Sequence, residues 1–281
     1  MKKESITIED IVLRHSQRGM NVLRKYMKED YCKICAGEIL NLKKGTIFLT
    51  TGFYVAGYAE TDGPLGTMVM AEALEKLGFH PVIVTDEYCK GFFECRSIKT
   101  LYVDIEAGEK EYWELLEKYQ PVGVISIERC GSNIHQDYTN MRGISIKEAT
   151  AKIDILVELA NILKIPTFGI GDGGNEIGMG NLQDAIAREL SICPCKVKVE
   201  HLVLATVSNW GAYAVVAYFQ KITGEKLLPQ FEEIAEYLKK IVSIGCVDGV
   251  TKERTASVDG FSLHTEKQVI EALHHQIIGC S

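Results

Sequence analysis

The chain has 281 residues, 46% of them hydrophobic and 25% charged, with a formal charge of −7. That composition excludes a disordered, collagen-like or simple repeat protein, and the acidic balance argues against a nucleic-acid partner as the main role. No apolar run reaches the ~18–20 residues of a membrane helix, and the start MKKESITIED resembles neither a secretion signal nor an Arg-rich transit peptide, so a cytoplasmic protein with no membrane partner is expected.

In chain order, apolar residues at helical spacing over 8–28 predict a helix, and 33–42 a second one. Residues 45–52 read as a buried strand closed by Gly52. Pro64 opens a helix that runs to about Leu77 and ends at Gly78. His80–Thr85 is the next strand, followed by a strand at 100–104 and a helix at 109–119. A strand at 121–127 precedes an amphipathic helix at 147–163. Ile165–Ile170 is a strand that leads into a glycine-rich loop, and 181–190 is helical. His201–Thr206 is a strand, and 210–221, 231–242 and 264–278 are helices.

Short strands that are apolar throughout thus alternate with helices of ten or more residues. The pattern predicts an α/β fold: a three-layer, mostly parallel open sheet with helices on both faces. No Pro/Gly/Ser-rich linker or internal repeat interrupts it. A single domain over 1–281 is expected, with a helical N-terminal extension at 1–44, a core at 45–250 and a helical tail at 251–281. The sequence leaves a homo-oligomer open.

Nine cysteines, an odd number, are scattered through the chain and do not form a disulfide framework. Cys32/Cys35 with Cys193/Cys195 supplies four thiols for zinc. The first pair falls in a helical stretch and the second has one intervening residue, Pro194, so small hydrophobic roles are the better reading. No HExxH spacing or G-x-S-x-G turn is present, and Cys130 has no evident histidine partner.

In open parallel sheets, ligands bind beyond the carboxyl ends of the strands. Five such ends carry polar, acidic or glycine residues: Thr50-Thr51-Gly52 with Glu60–Gly66; Thr85-Asp86-Glu87; Glu128–Gly131; Gly171–Gly180; and Thr206–Gly211. Gly169-Ile-Gly-Asp-Gly-Gly174 formally matches G-x-G-x-x-G, but Asp172 inside the turn would repel a pyrophosphate. Asp172, Asn175 and Glu176 suit a cation instead, either a metal ion or a substrate ammonium. A plain tight turn is the bland alternative. Backbone N–H groups after Gly63 suit a carboxylate, and Asp62 beside them is a base, a metal ligand or a helix cap. Glu128 faces the cleft unless it pairs with Arg129. Arg142 is the cation best placed to hold a substrate carboxylate, unless it is a plain surface arginine.

Thr50-Thr51-Gly52, Glu60-Thr-Asp-Gly-Pro64, Thr85-Asp86, Glu128, Met141-Arg-Gly143 and above all Gly169–Gly180 resemble the D-glutamate cyclase family. The likeness runs over about 45–250 and includes Ser208–Tyr213 and Val247–Val250. It implies cyclisation of D-glutamate to 5-oxo-D-proline with loss of water, a lyase-type reaction on a small acidic amino acid. That chemistry needs a base, an acid and a means of neutralising the γ-carboxylate. Asp62, Glu128, Asp172 and Glu176 are the expected catalytic residues. Thr51, Gly52, Gly63, Arg142, Asn175 and Asn209 are expected at the substrate. Mn²⁺ or Mg²⁺ is expected on Asp172 and Glu176, with no organic cofactor. Two alternatives stand beside this reading: a non-catalytic sensor for an acidic amino acid, and a nucleotide-dependent enzyme that uses Gly169–Gly180 for phosphates.

Overall fold

The computed structural model describes residues 6–278. Helices α1 (Ile8–Val12), α2 (Met20–Leu23) and α3 (Tyr31–Asn41) precede strand β1 (Thr46–Thr50). A two-stranded hairpin, β2 (Tyr54–Val55) and β3 (Tyr58–Ala59), leads to α4 (Pro64–Lys76). Then come β4 (His80–Thr85), β5 (Thr100–Tyr102), α5 (Glu109–Tyr119), β6 (Gly123–Ile127), α6 (Asp154–Ile162), β7 (Thr167–Gly171), α7 (Gln183–Glu189) and β8 (His201–Leu204). The chain continues through α8 (Ser208–Thr223), α9 (Phe231–Ile244), a second hairpin of β9 (Ser257–Val258) and β10 (Phe261–Ser262), and α10 (Leu263–Ile278).

Six strands form one parallel sheet in the order β5-β4-β1-β6-β7-β8. Helices flank it, which makes the expected three-layer α/β architecture. All-apolar strands such as Ile47-Phe48-Leu49 and Val124-Ile125 are buried because both faces of the sheet are covered. From β1 the chain winds outward to β5, then returns to β6 on the other side of β1. The crevice between the carboxyl ends of β1 and β6 is therefore the topological switch point, where such sheets bind ligands.

Two expected helices come out differently. The 8–28 stretch divides into α1 and α2 because His15 and Gly19 adopt φ of 60° and 80°, outside the helical region. The 147–163 stretch begins as a short 3₁₀ turn, Lys147–Ala149, and becomes α-helical only from Asp154. The extended Thr150 between them breaks the run. The segment before β1 is integral to the core: Ile8, Ile11, Val12, Cys32 and Cys35 join the main apolar cluster. Burial raises the thiol pKa values of Cys32 and Cys35, as suits inert core residues.

Helices α4 and α8 meet with their N-termini together. At Gly66 a Cβ would lie 2.8 Å from the Ala212 Cβ and 2.9 Å from the Asn209 Cα, so glycine permits this approach. The approach brings the loops after β1 and β8 to the switch point.

Candidate active site

The two helix starts exchange caps. Asp62, just before α4, accepts from the Ser208 N–H at 2.8 Å and the Asn209 N–H at 2.8 Å, which are the first residues of α8. In return, Asn209 Oδ1 accepts from the Gly63 N–H at 2.9 Å and the Gly66 N–H at 2.7 Å, at the start of α4. Four helix-terminal donors, two on each helix, are thereby satisfied. Asp62 caps α8 and also accepts from the Gly63 N–H at the start of its own helix. The Gly63 N–H, expected to grip a substrate carboxylate, is already bonded to Asn209 and to Asp62.

Six buried carboxylates collect beneath the switch point: Glu60, Asp62, Glu128, Asp172, Glu176 and Asp259. Ligand oxygens of Glu128, Asp172 and Glu176 lie within 4.8 Å of one another, and so do those of Asp62, Asp172 and Asp259. Arg18 is the cation that enters the second group. Its Nη1 lies 2.6 and 2.7 Å from the two Asp172 oxygens and 2.8 Å from Asp259 Oδ2. Burial works against the guanidinium's charge, but Asp172 and Asp259 outweigh it and raise its pKa. Arg18 thus fills the place of a cation among Asp62, Asp172 and Asp259. The Glu128–Asp172–Glu176 group shares Asp172 with it.

The carboxylates resist ionisation. Burial, then the charge of Asp259, pushes Asp62 up to about 7 even though backbone donors oppose the shift. Burial and neighbouring Glu176 hold Glu128 well above the usual carboxylate range. Burial raises Asp172 strongly against the pull of Arg18. Glu176 is raised by burial, in spite of its 2.8 Å bond from the Gly174 N–H. So dense a set of acids needs either shared protons or an added cation.

A cavity of about 430 Å³ opens over this cluster. Of the expected site residues, Glu128, Arg142 and Asn175 line it, together with Arg18, Glu60, Gly249 and Lys252. Glu128 has φ of 47° at the end of β6, and its Oε2 accepts from the Ser208 hydroxyl at 2.5 Å. Its neighbour Arg129 turns away and pairs with Asp86 at 2.6 Å and the Gly52 carbonyl at 2.5 Å. A Glu128–Arg129 pair therefore does not form. Arg142 is exposed at the rim. Asn175 donates to the Thr139 carbonyl at 2.7 Å, while its buried Oδ1 has no hydrogen-bond partner among the described residues. Thr51, Gly52, Gly63, Asp62, Asp172, Glu176 and Asn209 lie below or beside the cavity without lining it. Gly52 and Asn209 are engaged with protein groups instead.

The Gly169–Gly180 loop folds inward. The N–H groups of Gly174, Ile177, Gly178, Met179 and Gly180 bond to Glu176, Arg129, Val197, Glu176 and Val197. Those donors are not offered to a phosphate.

Arg18, Glu60 and Asp259 complete the site without having been singled out as site residues from the sequence. Asp259 and Gly260 form the two-residue turn of the β9–β10 hairpin, with φ of 52° and 77°. The Asp-Gly pair reads simply as a turn. Arg18 lies 154 residues from Asp172, so no local pattern links them.

The human protein named "D-glutamate cyclase, mitochondrial" is 27% identical over 294 aligned residues, covering 85% of this chain and 48% of that protein. The chain thus spans about half the length of this curated relative. Among solved structures, Bordetella bronchiseptica WbmH in complex with NAD⁺ aligns at TM-score 0.32 and 14% identity, covering 63% of this chain and 53% of that one. The E. coli tRNA N6-threonylcarbamoyladenosine dehydratase TcdA with AMP aligns at TM-score 0.30 and 13% identity, covering 79% and 98%. Likenesses at that level carry no argument. The family model described as "D-glutamate cyclase-like, C-terminal" matches residues 8–274. That span takes in Arg18 and Asp259, outside the 45–250 range in which the sequence likeness was legible. With the acidic cluster, the cavity above it and both flanking segments inside the match, the chain belongs to the D-glutamate cyclase-like C-terminal family.

Proposed function

We propose that this chain cyclises D-glutamate to 5-oxo-D-proline and water. The observation that carries the reading is the 430 Å³ cavity of a chain of this family, with Glu128 in its wall above Asp172 and Glu176. The cavity is of small-molecule size. In the reaction the substrate nitrogen bonds to the γ-carboxyl carbon, one C–O bond of that carboxyl breaks, and two N–H protons end on the departing water.

The donor set fits a hard divalent ion: Asp172 and Glu176 with Glu128 beside them, the unpartnered Asn175 Oδ1, and no nitrogen or sulfur ligand. Asp172 and Glu176 would hold Mn²⁺ or Mg²⁺, which when bound supplies polarisation of the γ-carboxyl group. Burial keeps Glu128 protonated well above the usual range, so it suits donation of a proton to the departing oxygen. The Ser208 hydroxyl orients it. Arg142 at the rim suits a substrate carboxylate.

The test is incubation with D- or L-glutamate in Mn²⁺, Mg²⁺ or EDTA, with 5-oxoproline followed by chiral chromatography. Product from D-glutamate alone is expected, reduced at least ~100-fold in Asp172→Asn. Ligand binding without product in any condition would replace this reading with a sensor.

A further inference from the structure

Glu60 is 6% exposed and its carboxylate lines the cavity, yet among the described residues it accepts no hydrogen bond and forms no ion pair. Every other carboxylate at the site has a partner: Asp62 holds helix N–H groups, Glu128 the Ser208 hydroxyl, Asp172 and Asp259 Arg18, and Glu176 the Gly174 N–H. An unpartnered buried carboxylate is costly unless a ligand completes it.

The fold holds Glu60 in this position. Its N–H bonds to the Phe53 carbonyl at 3.1 Å, and its backbone bridges to Val247 in parallel fashion. Across from it, a Cβ on Gly249 would lie 1.8 Å from Glu60 Oε2, so the absence of a side chain at 249 leaves the carboxylate its space. The same cavity has an opposite charge at its rim, where Arg142 and Lys252 are exposed and have no ion-pair partner among the described residues. The cavity is therefore acidic within, where Arg18 answers only Asp172 and Asp259, and cationic at its rim.

We propose that Glu60 anchors the substrate's α-ammonium. An α-amino dicarboxylate then binds with its α-carboxylate toward the Arg142 and Lys252 rim and its γ-carboxyl group toward Glu128. The proposal rests on the cyclase reading and adds to it the residue that selects an amino acid over a plain dicarboxylic acid. A charge-assisted bond from the ammonium supplies the selection.

The experiment is a thermal-shift titration of the full chain with D-glutamate and with glutarate, which lacks the amine. Ligand is kept in large excess so that turnover does not deplete it. Wild type is expected to prefer D-glutamate by about tenfold or more. In the isosteric Glu60→Gln, D-glutamate should weaken by about the same factor, while glutarate stays within about twofold or tightens as a like charge is lost. Gly249→Ala, which displaces the carboxylate without altering its charge, should also erode the preference. A D-glutamate preference retained in Glu60→Gln overturns the proposal and leaves the cyclase reading standing, and so does equal weakening of both ligands. No stabilisation of wild type by either ligand overturns both.

Discussion

Asp248 accepts four hydrogen bonds and ties together both ends of the segment that brings Gly249, Lys252 and Asp259 to the site. The Val250 and Thr251 N–H groups reach its Oδ1 at 2.9 and 2.8 Å, while the Ser257 hydroxyl and the Gly260 N–H reach its Oδ2 at 2.6 and 2.9 Å. Burial acts to raise its pKa, but these donors, the Ser257 hydroxyl foremost, outweigh it and leave the pKa below the ordinary 3.8. A depressed folded pKa contributes stability that is present above the unfolded value and lost as pH falls through the folded one. The 248–260 segment should therefore loosen below about pH 4. Amide exchange at Val250 and Gly260, corrected for intrinsic rates, should accelerate there in wild type. In Asp248→Asn it should already be faster at neutral pH, with little further change. Equal protection in both proteins at all pH values would remove Asp248 from this role. At the residue scale, Glu128 and Asp172 were legible because each directly follows an apolar strand, and strand ends in such sheets face the ligand. Arg18 and Asp259 were not, and Glu60 was legible only as part of the Glu60–Gly66 segment, because their meaning lies in charges that approach them from distant parts of the chain.

The reciprocal caps of α4 and α8 join two helices that are separated by five strands in sequence. Asn209→Ala would leave the Gly63 and Gly66 N–H groups without their side-chain acceptor in a buried setting and should cost about 1–2 kcal/mol. The readout is the midpoint of denaturant unfolding at unchanged slope. An unchanged midpoint would show that α4 is held by packing alone. Most elements were legible from periodicity and punctuation: Pro64 at the start of α4, Gly78 after its end, and the apolar run of β4 all fall where the sequence places them. The exceptions are instructive. Apolar spacing over 8–28 and 147–163 is real and those residues are largely buried, but backbone breaks at His15, Gly19 and Thr150 divide the runs. Periodicity reports which residues face the core and not whether one helix carries them all.

Across the whole molecule, the proposed reading of the acidic cluster predicts a response to cations. Arg18 answers Asp172 and Asp259, while Glu128 and Glu176 have no ion-pair partner among the described residues. A divalent ion bound only by the folded chain stabilises it by about 2.7 kcal/mol at a hundred times its Kd. Excess Mn²⁺ should raise the Tm by several degrees at neutral pH, since ~1 kcal/mol shifts a large domain by about 2–4 °C. EDTA should reverse the rise, and Glu176→Gln should blunt it. A Tm indifferent to Mn²⁺, Mg²⁺ and EDTA would argue against an ion in this cluster.

The amino-acid sequence by itself determined the α/β class, the placement of most strands and helices, and the edge of the sheet at which polar residues gather. These follow from local propensity and from burial on one or both faces, which neighbouring residues encode. Only the tertiary structure decided the strand order and the switch point between β1 and β6. It also decided that Asp62 and Asn209 serve each other's helices and that Arg18 sits among the acids. Last, it left Glu60 as the site carboxylate without a partner among the described residues. Those outcomes depend on electrostatics and close packing between segments up to 154 residues apart, and they exist only once the chain has closed around them.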